Sequence, residues 1–113
     1  MRKIKFRIWD NAGFMSRPFT LTELQIGLAP FPCQWPTMQY IGLEDGYGNE
    51  IYEGDIVQCD EYNNYLIVFD ERRACFAFAL DEHDTNPEPI ADFSISEYTI
   101  IGNIYQSPEL LEV

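Results

Sequence analysis

Residues 65–80 read Tyr65-Leu66-Ile67-Val68-Phe69-Asp70-Glu71-Arg72-Arg73-Ala74-Cys75-Phe76-Ala77-Phe78-Ala79-Leu80. The first five form an unbroken apolar run, short enough for a strand buried on both faces. Past Ala74 the large side chains Phe76, Phe78 and Leu80 alternate with the small Cys75, Ala77 and Ala79. One face of a strand at 74–80 therefore fills a core while the other is closely approached. The four charged residues at 70–73 are the exposed connection. Two apolar strands across a polar turn set the class: this is a β protein.

Upstream, Asn63-Asn64 suits a tight hairpin because Asn tolerates left-handed backbone, and it would join a strand at 56–59 (Ile-Val-Gln-Cys). Strand character is also present at 38–43. The turn Glu44-Asp45-Gly46-Tyr47-Gly48-Asn49 follows it, and Glu50-Ile51-Tyr52 is the returning arm. Glu53-Gly54-Asp55 then turns into the 56–59 strand. At the start, residues 2–9 alternate, with Ile4, Phe6 and Ile8 on one side and Lys3, Lys5, Arg7 and Trp9 on the other, the period of a half-buried strand.

Residues 11–37 interrupt this pattern with Pro18, Pro30, Pro32 and Pro36. This stretch reads as an irregular excursion with room for one short helix. Thr20-Leu21-Thr22-Glu23 matches a capping box, and Gly27 would stop the helix after about Ile26. Its aromatic residues Phe14, Phe19, Phe31 and Trp35 are expected to lie back over the core. Downstream, 81–92 is acidic and proline-punctuated, hence a surface loop. A last strand is expected at about 98–105, and Pro108 suits the first position of a final helical turn. No repeat or linker divides the 113 residues, so the reading is one domain over 1–113: a small SH3-like barrel or pseudobarrel.

The charge is strongly acidic and unevenly placed. Seven Lys and Arg stand against nineteen Asp and Glu, a net charge of −12. Residues 1–40 carry five basic and two acidic side chains, a net +3; residues 41–113 carry two basic and seventeen acidic, a net −15. Phosphate contacts need cations gathered on one face, so nucleic-acid binding is not expected. An acidic surface also repels membranes and favours a basic partner. The basic first strand has two readings: pairing beside an acidic strand of its own chain, or meeting another subunit or partner. No run of ~18 apolar residues that could span a membrane is present, and no apolar segment follows the basic start as a secretory signal would require.

Cofactor and catalytic chemistry have little to stand on. Cys33, Cys59, Cys75 and His83 are four zinc-type ligands, but gaps of 26, 16 and 8 residues lack the close pairs of structural zinc sites. Three cysteines without an export signal argue for a reducing compartment and against a disulfide scaffold. Cys75 reads as a small core hydrophobe. The turn at Asp45–Glu50 fails the EF-hand pattern at Tyr47; it and Asp81-Glu82-His83-Asp84 read as solvated acidic turns. His83 is the only histidine and lies among carboxylates, so a Cys–His pair is not expected. Gly46, Gly48 and Gly54 lack the Lys and the helix of a phosphate-binding loop. No catalytic, cofactor or metal residue is assigned. Trp9 and Trp35 are the candidate interface anchors.

Three blocks resemble the YopX family of phage and prophage proteins. They are Ile4-Lys5-Phe6-Arg7-Ile8-Trp9-Asp10, the stretch from Met38 to Asp45 continuing through Gly48 to Val57, and Ile101-Gly102-Asn103-Ile104-Tyr105 with Pro108-Glu109-Leu110-Leu111. Ile41 and Glu44 depart from the family pattern, and residues 11–36 show no counterpart. The resemblance implies a β-rich fold of SH3-like character, a phage or prophage origin and so a bacterial cytoplasm, and no catalytic residues. Within it, Gly54 and Asp55 read as backbone requirements. The expectation is a non-enzymatic interaction module whose partner is a protein, itself included. The alternatives are a nucleic-acid-binding barrel using Arg2, Lys3, Lys5 and Arg7, and a metal-dependent enzyme.

Overall fold

The computed structural model describes residues 3–10, 12–28, 35–59, 63–90 and 95–111. Among them ten strands form two antiparallel sheets. The first contains β1 (Lys5–Asp10), β2 (Phe14–Met15), β3 (Phe19–Thr20), β4 (Thr37–Glu44) and β5 (Glu50–Tyr52), in the order β2-β1-β4-β5 with β3 also paired to β1. The second contains β6 (Asp55–Gln58), β7 (Asn64–Asp70), β8 (Cys75–Ala79), β9 (Glu88–Pro89) and β10 (Thr99–Asn103), in the order β10-β6-β7-β8-β9. The protein is mainly β and its first sheet curls into a half-barrel, the pseudobarrel of the sequence expectation.

The decisive hairpin forms as read except at its turn, where Asp70, expected in the exposed connection, ends β7 and is buried. β7 and β8 pair from Leu66 opposite Ala79 to Asp70 opposite Cys75. Ile67 and Phe78 face the other sheet and join Ile41, Ile51, Val57, Ile90 and Tyr98 in the inter-sheet core. Leu66 and Ala79 face the opposite way, with Ile56, and are covered by Ile104, Leu110 and Leu111 of the C-terminal segment. This is why 65–69 carries no polar alternation: each of its faces meets apolar neighbours. Leu80 lies beyond the end of β8 and is 65% exposed, so the large-residue face stops at Phe78. The turn between the strands sets Ala74 at a φ of 54°.

Within the stretch read as an excursion, residues 12–28 are tied to the sheet more closely than that reading implies. β2 and β3 both pair with β1, and Ser16 fixes the corner: its hydroxyl accepts the Ile8 N–H at 2.8 Å and donates to the Arg17 carbonyl. The capping box at Thr20 and Glu23 is present and starts a helix α1 (Leu21–Gln25) that ends at Ile26 before Gly27. No residue of α1 is buried, so it lies outside the core. Of the aromatics expected over the core, Phe19 is buried, Phe14 is 64% exposed and Trp35 is half-buried; Phe31 lies outside the described residues. In the acidic loop at 81–92, Glu88–Pro89 forms the edge strand β9 on β8. Proline at such an edge removes a donor that would recruit another strand. Pro108–Leu111 forms the expected final turn, as a 3-10 helix.

The sheets are connected in sequence by Glu53-Gly54 between β5 and β6. Gly54 donates its N–H to the Ile67 carbonyl and accepts the Ile104 N–H, so its backbone lies between β7 and the segment that follows β10. Its φ is +94°, and a Cβ there would sit 3.0 Å from the Met38 sulfur and 3.5 Å from the Tyr105 ring. Conformation and space both require glycine. Gly54→Ala is expected to destabilise the protein by about 2–3 kcal/mol, more than Gly13→Ala, whose site is open and costs only the ~1 kcal/mol of backbone strain. Urea unfolding of the two variants would measure the difference, and equal losses would refute the close-approach argument.

Candidate functional site

The junction between the sheets is organised by a buried carboxylate. Asp55 is 1% exposed. One of its oxygens accepts the Tyr52 N–H at 2.8 Å, closing the turn between β5 and β6, and the other pairs with the Arg7 guanidinium of β1. Arg7 also lies over the Tyr52 ring, 4.4 Å from its centroid, with a terminal nitrogen 3.8 Å from the Met38 sulfur. Its Nε has no hydrogen-bond partner. Burial raises the Asp55 carboxyl above its ordinary value, and the Arg7 charge and Tyr52 N–H pull it only partly back.

One step along β1 the pattern repeats. Lys5 pairs with Glu50 of β5 and stands 5.1 Å from the centroid of the Tyr40 ring. Tyr40 and Tyr52 pack at 5.6 Å, and burial with the Glu50 field pushes the Tyr52 phenol up to about 12. The alternation read at residues 2–9 is correct in period, and of its two readings the pairing within the chain is found for Lys5 and Arg7, though their partners Glu50 and Asp55 lie on β5 and β6 and not on a strand beside β1. Lys3 is exposed, and Arg2 lies outside the described residues.

A second buried carboxylate, Asp45, replaces the solvated turn expected at 44–49. It accepts N–H groups from Tyr47 and Asn49, each at 2.9 Å, and from Ile100 of β10 at 3.1 Å. The β4–β5 turn is thus bound to the second sheet, aided by a bond from the Gly46 N–H to the Tyr98 carbonyl. Burial pushes the Asp45 carboxyl up, but the donors from Ile100, Asn49 and Tyr47 outweigh it and hold it below the usual range. Its oxygens are occupied by the fold.

Beside Gly54 a cleft of about 330 Å³ opens. Buried Met38, Leu66 and Ile67 and the more accessible Val68, Phe69 and Ile104 line it, and Glu53, Glu82 and Tyr105 stand at its mouth. The Tyr105 ring stacks on Trp9 at 6.3 Å and 17°. Burial raises its phenol, and the charges of Glu53 and Glu82 raise it further. Burial likewise lifts the Glu53 carboxyl, partly opposed by the Gln39 main chain. Among the described residues no cation pairs with either glutamate.

The other residues singled out in the sequence do not converge. Cys59 is exposed and Cys75 half-buried, both free, and Cys33 lies outside the described residues. His83 is exposed. Among the described residues no three His, Cys, Asp or Glu side chains cluster as metal ligands. Asp81 and Asp84 accept main-chain N–H groups of their own loop. Trp9 is packed against Tyr105 and the Met38–Tyr40–Tyr52 cluster, so it is no free anchor; Trp35 is half-buried. The cleft escaped sequence reading because its three mouth residues lie at 53, 82 and 105, with no spacing to link them.

Comparison with known proteins gives a family and a fold. The family described as "YopX protein" matches residues 18–112. The match includes residues 18–36, where the sequence reading finds no counterpart, and begins after the Ile4–Asp10 block. The crystal structure of protein EF1440 from Enterococcus faecalis aligns with a TM-score of 0.61 at 23% identity, covering 99% of this chain and 100% of that one. No curated protein matches the chain.

Two outcomes follow from the buried carboxylates. Arg7→Met leaves Asp55 charged and unpaired, and is expected to cost about 3–5 kcal/mol by urea unfolding. Adding Asp55→Asn should recover part of that loss, because the amide still accepts the Tyr52 N–H. A single-variant loss below ~1 kcal/mol would contradict this. The pH dependence has two signs. The folded value of Asp45 is depressed, so its stabilisation is complete above its unfolded value and is lost as pH falls through the folded one. The folded value of Asp55 is raised, so its contribution improves as pH falls. Asp45→Asn should therefore flatten the loss of stability on acidification below about pH 4. An unchanged acid limb in urea melts across pH would count against it.

Proposed function

The chain belongs to the YopX family, and from that premise we propose that it is a phage- or prophage-type, non-enzymatic interaction module that docks a basic protein partner in the bacterial cytoplasm. The observation that carries this reading is the disposition of charge. Lys5, Arg7, Arg17 and Arg73 are each paired with a carboxylate of their own chain. Arg72 donates to the Thr85 carbonyl. Glu44, Glu71, Asp81, Glu82, Glu88 and Glu109, by contrast, are exposed and form no ion pair among the described residues. The net charge of −12 therefore points outward with little to mask it.

Such a field speeds encounter with a positive surface and opposes encounter with like charge. It weighs against self-association, since two copies would bring like fields together. The same geometry removes support from nucleic-acid binding, because Lys5 and Arg7, half of the basic strand's cations, are already neutralised. No helix among the described residues is long and apolar enough to cross a membrane.

Capture from bacterial cells expressing the protein, followed by reconstitution with the purified captured partner, tests the proposal. The expected result is a complex whose affinity falls by at least about ten-fold between ~0.05 and ~0.5 M NaCl. Retention on a DNA column at low salt with steep salt release, or a reconstituted complex indifferent to salt, would overturn it.

A further inference from the structure

Among the described residues, the rings of Tyr52, Tyr40 and Tyr105 each stand beside glutamate or aspartate. At two, the chain supplies the cation itself: Arg7 over Tyr52 beside Asp55, and Lys5 over Tyr40 beside Glu50. The third is in the inter-sheet cleft, where Tyr105 stands with Glu53 and Glu82 above an apolar floor. Among the described residues no cation lines it or pairs with Glu53 or Glu82, and Arg7, which meets the Met38 sulfur, is itself paired with Asp55. We propose that this cleft is the docking point for an arginine side chain on an exposed segment of the protein partner.

Shape and chemistry agree on that occupant. About 330 Å³ is near the lower end of the ~300–1,000 Å³ range of ligand pockets, a size suited to one long side chain. The accessible apolar lining, Val68, Phe69 and Ile104, takes an aliphatic stem laid along the open cleft, and the charged head comes to rest beside Glu53 and Glu82. Glu53 and Glu82 offer two carboxylates, which a forked guanidinium can engage from one planar group. Tyr105, held flat against Trp9, gives that plane a ring face to lie on. A phosphate or carboxylate ligand would meet only repulsion here. Burial holds the Glu53 carboxyl above its usual range, and a bound cation would relieve that cost.

This inference rests on the proposed docking of a basic protein and names where one of its side chains enters. An amide-resolved NMR titration with an unstructured hexapeptide carrying one arginine tests it, with the same peptide carrying citrulline as the neutral isostere. Shifts are expected to concentrate at Glu53, Gly54, Glu82 and Tyr105. The citrulline peptide should bind about ten-fold more weakly, the size of one lost charge-assisted pair. Glu53→Gln and Glu82→Gln should each weaken the arginine peptide to a similar degree with amide dispersion unchanged, while Glu109→Gln, at a glutamate that does not line the cleft, leaves it unaltered. Equal binding of the two peptides, or shifts spread over the acidic surface and insensitive to Glu53→Gln and Glu82→Gln, would overturn the assignment. A salt-sensitive complex with the cellular partner that both glutamine variants leave intact would sink the cleft assignment alone, with the broader docking proposal standing.

Discussion

A buried aspartate that accepts a main-chain N–H and neutralises an arginine is the constraint on which this structure depends. Asp55 lies where the chain leaves one sheet and enters the other. Its bond to the Tyr52 N–H sets the turn, and its pair with Arg7 ties the first strand to that turn. With the turn set, Gly54 is pressed between β7 and the segment after β10, where an added Cβ would crowd the Met38 sulfur at 3.0 Å. The inter-sheet cleft lies directly beside that glycine. A buried ion pair is a poor source of net stability, since desolvation offsets much of the attraction. Its value here is in register: only one placement of β1 brings Arg7 to Asp55 and Lys5 to Glu50 together.

The same pairing shapes the outside of the molecule. Of the chain's seven cations, four lie against its own carboxylates. Surface pairs such as Arg17 with Glu23 add little stability. Edge strands are kept short, and β9 carries a proline, so backbone pairing with another chain is discouraged while attraction by charge is not.

Much of the architecture is legible in the sequence because its signals are local. The capping box at Thr20 and Glu23 and the apolar run at 65–69 each depend on near neighbours, and each matches the structure in place and kind. Non-local features are the ones that escape. The short strands β2, β3 and β9 exist only because β1 or β8 offers a free edge, and two-residue segments carry no periodicity of their own. Asp45 reads as a solvated turn residue, yet the Ile100 N–H, fifty-five residues away, makes it a buried tie between sheets. Leu80 continues an alternation that the strand does not. For the cleft, nothing in the spacing of Glu53, Glu82 and Tyr105 betrays their meeting. The glycine and aspartate of the Tyr52–Val57 block do read correctly as backbone requirements, because their chemistry is that of a turn.

The most direct measurement of the central claim is native-state hydrogen exchange at the Tyr52 amide, the donor that Asp55 accepts. If that bond holds the sheets together, Tyr52 will open only with the whole molecule, at the same free energy as the core amides of Ile56 and Ile67. Exchange at Tyr52 as fast as at the exposed Glu71 and Arg73 turn, while the core stays closed, would contradict it.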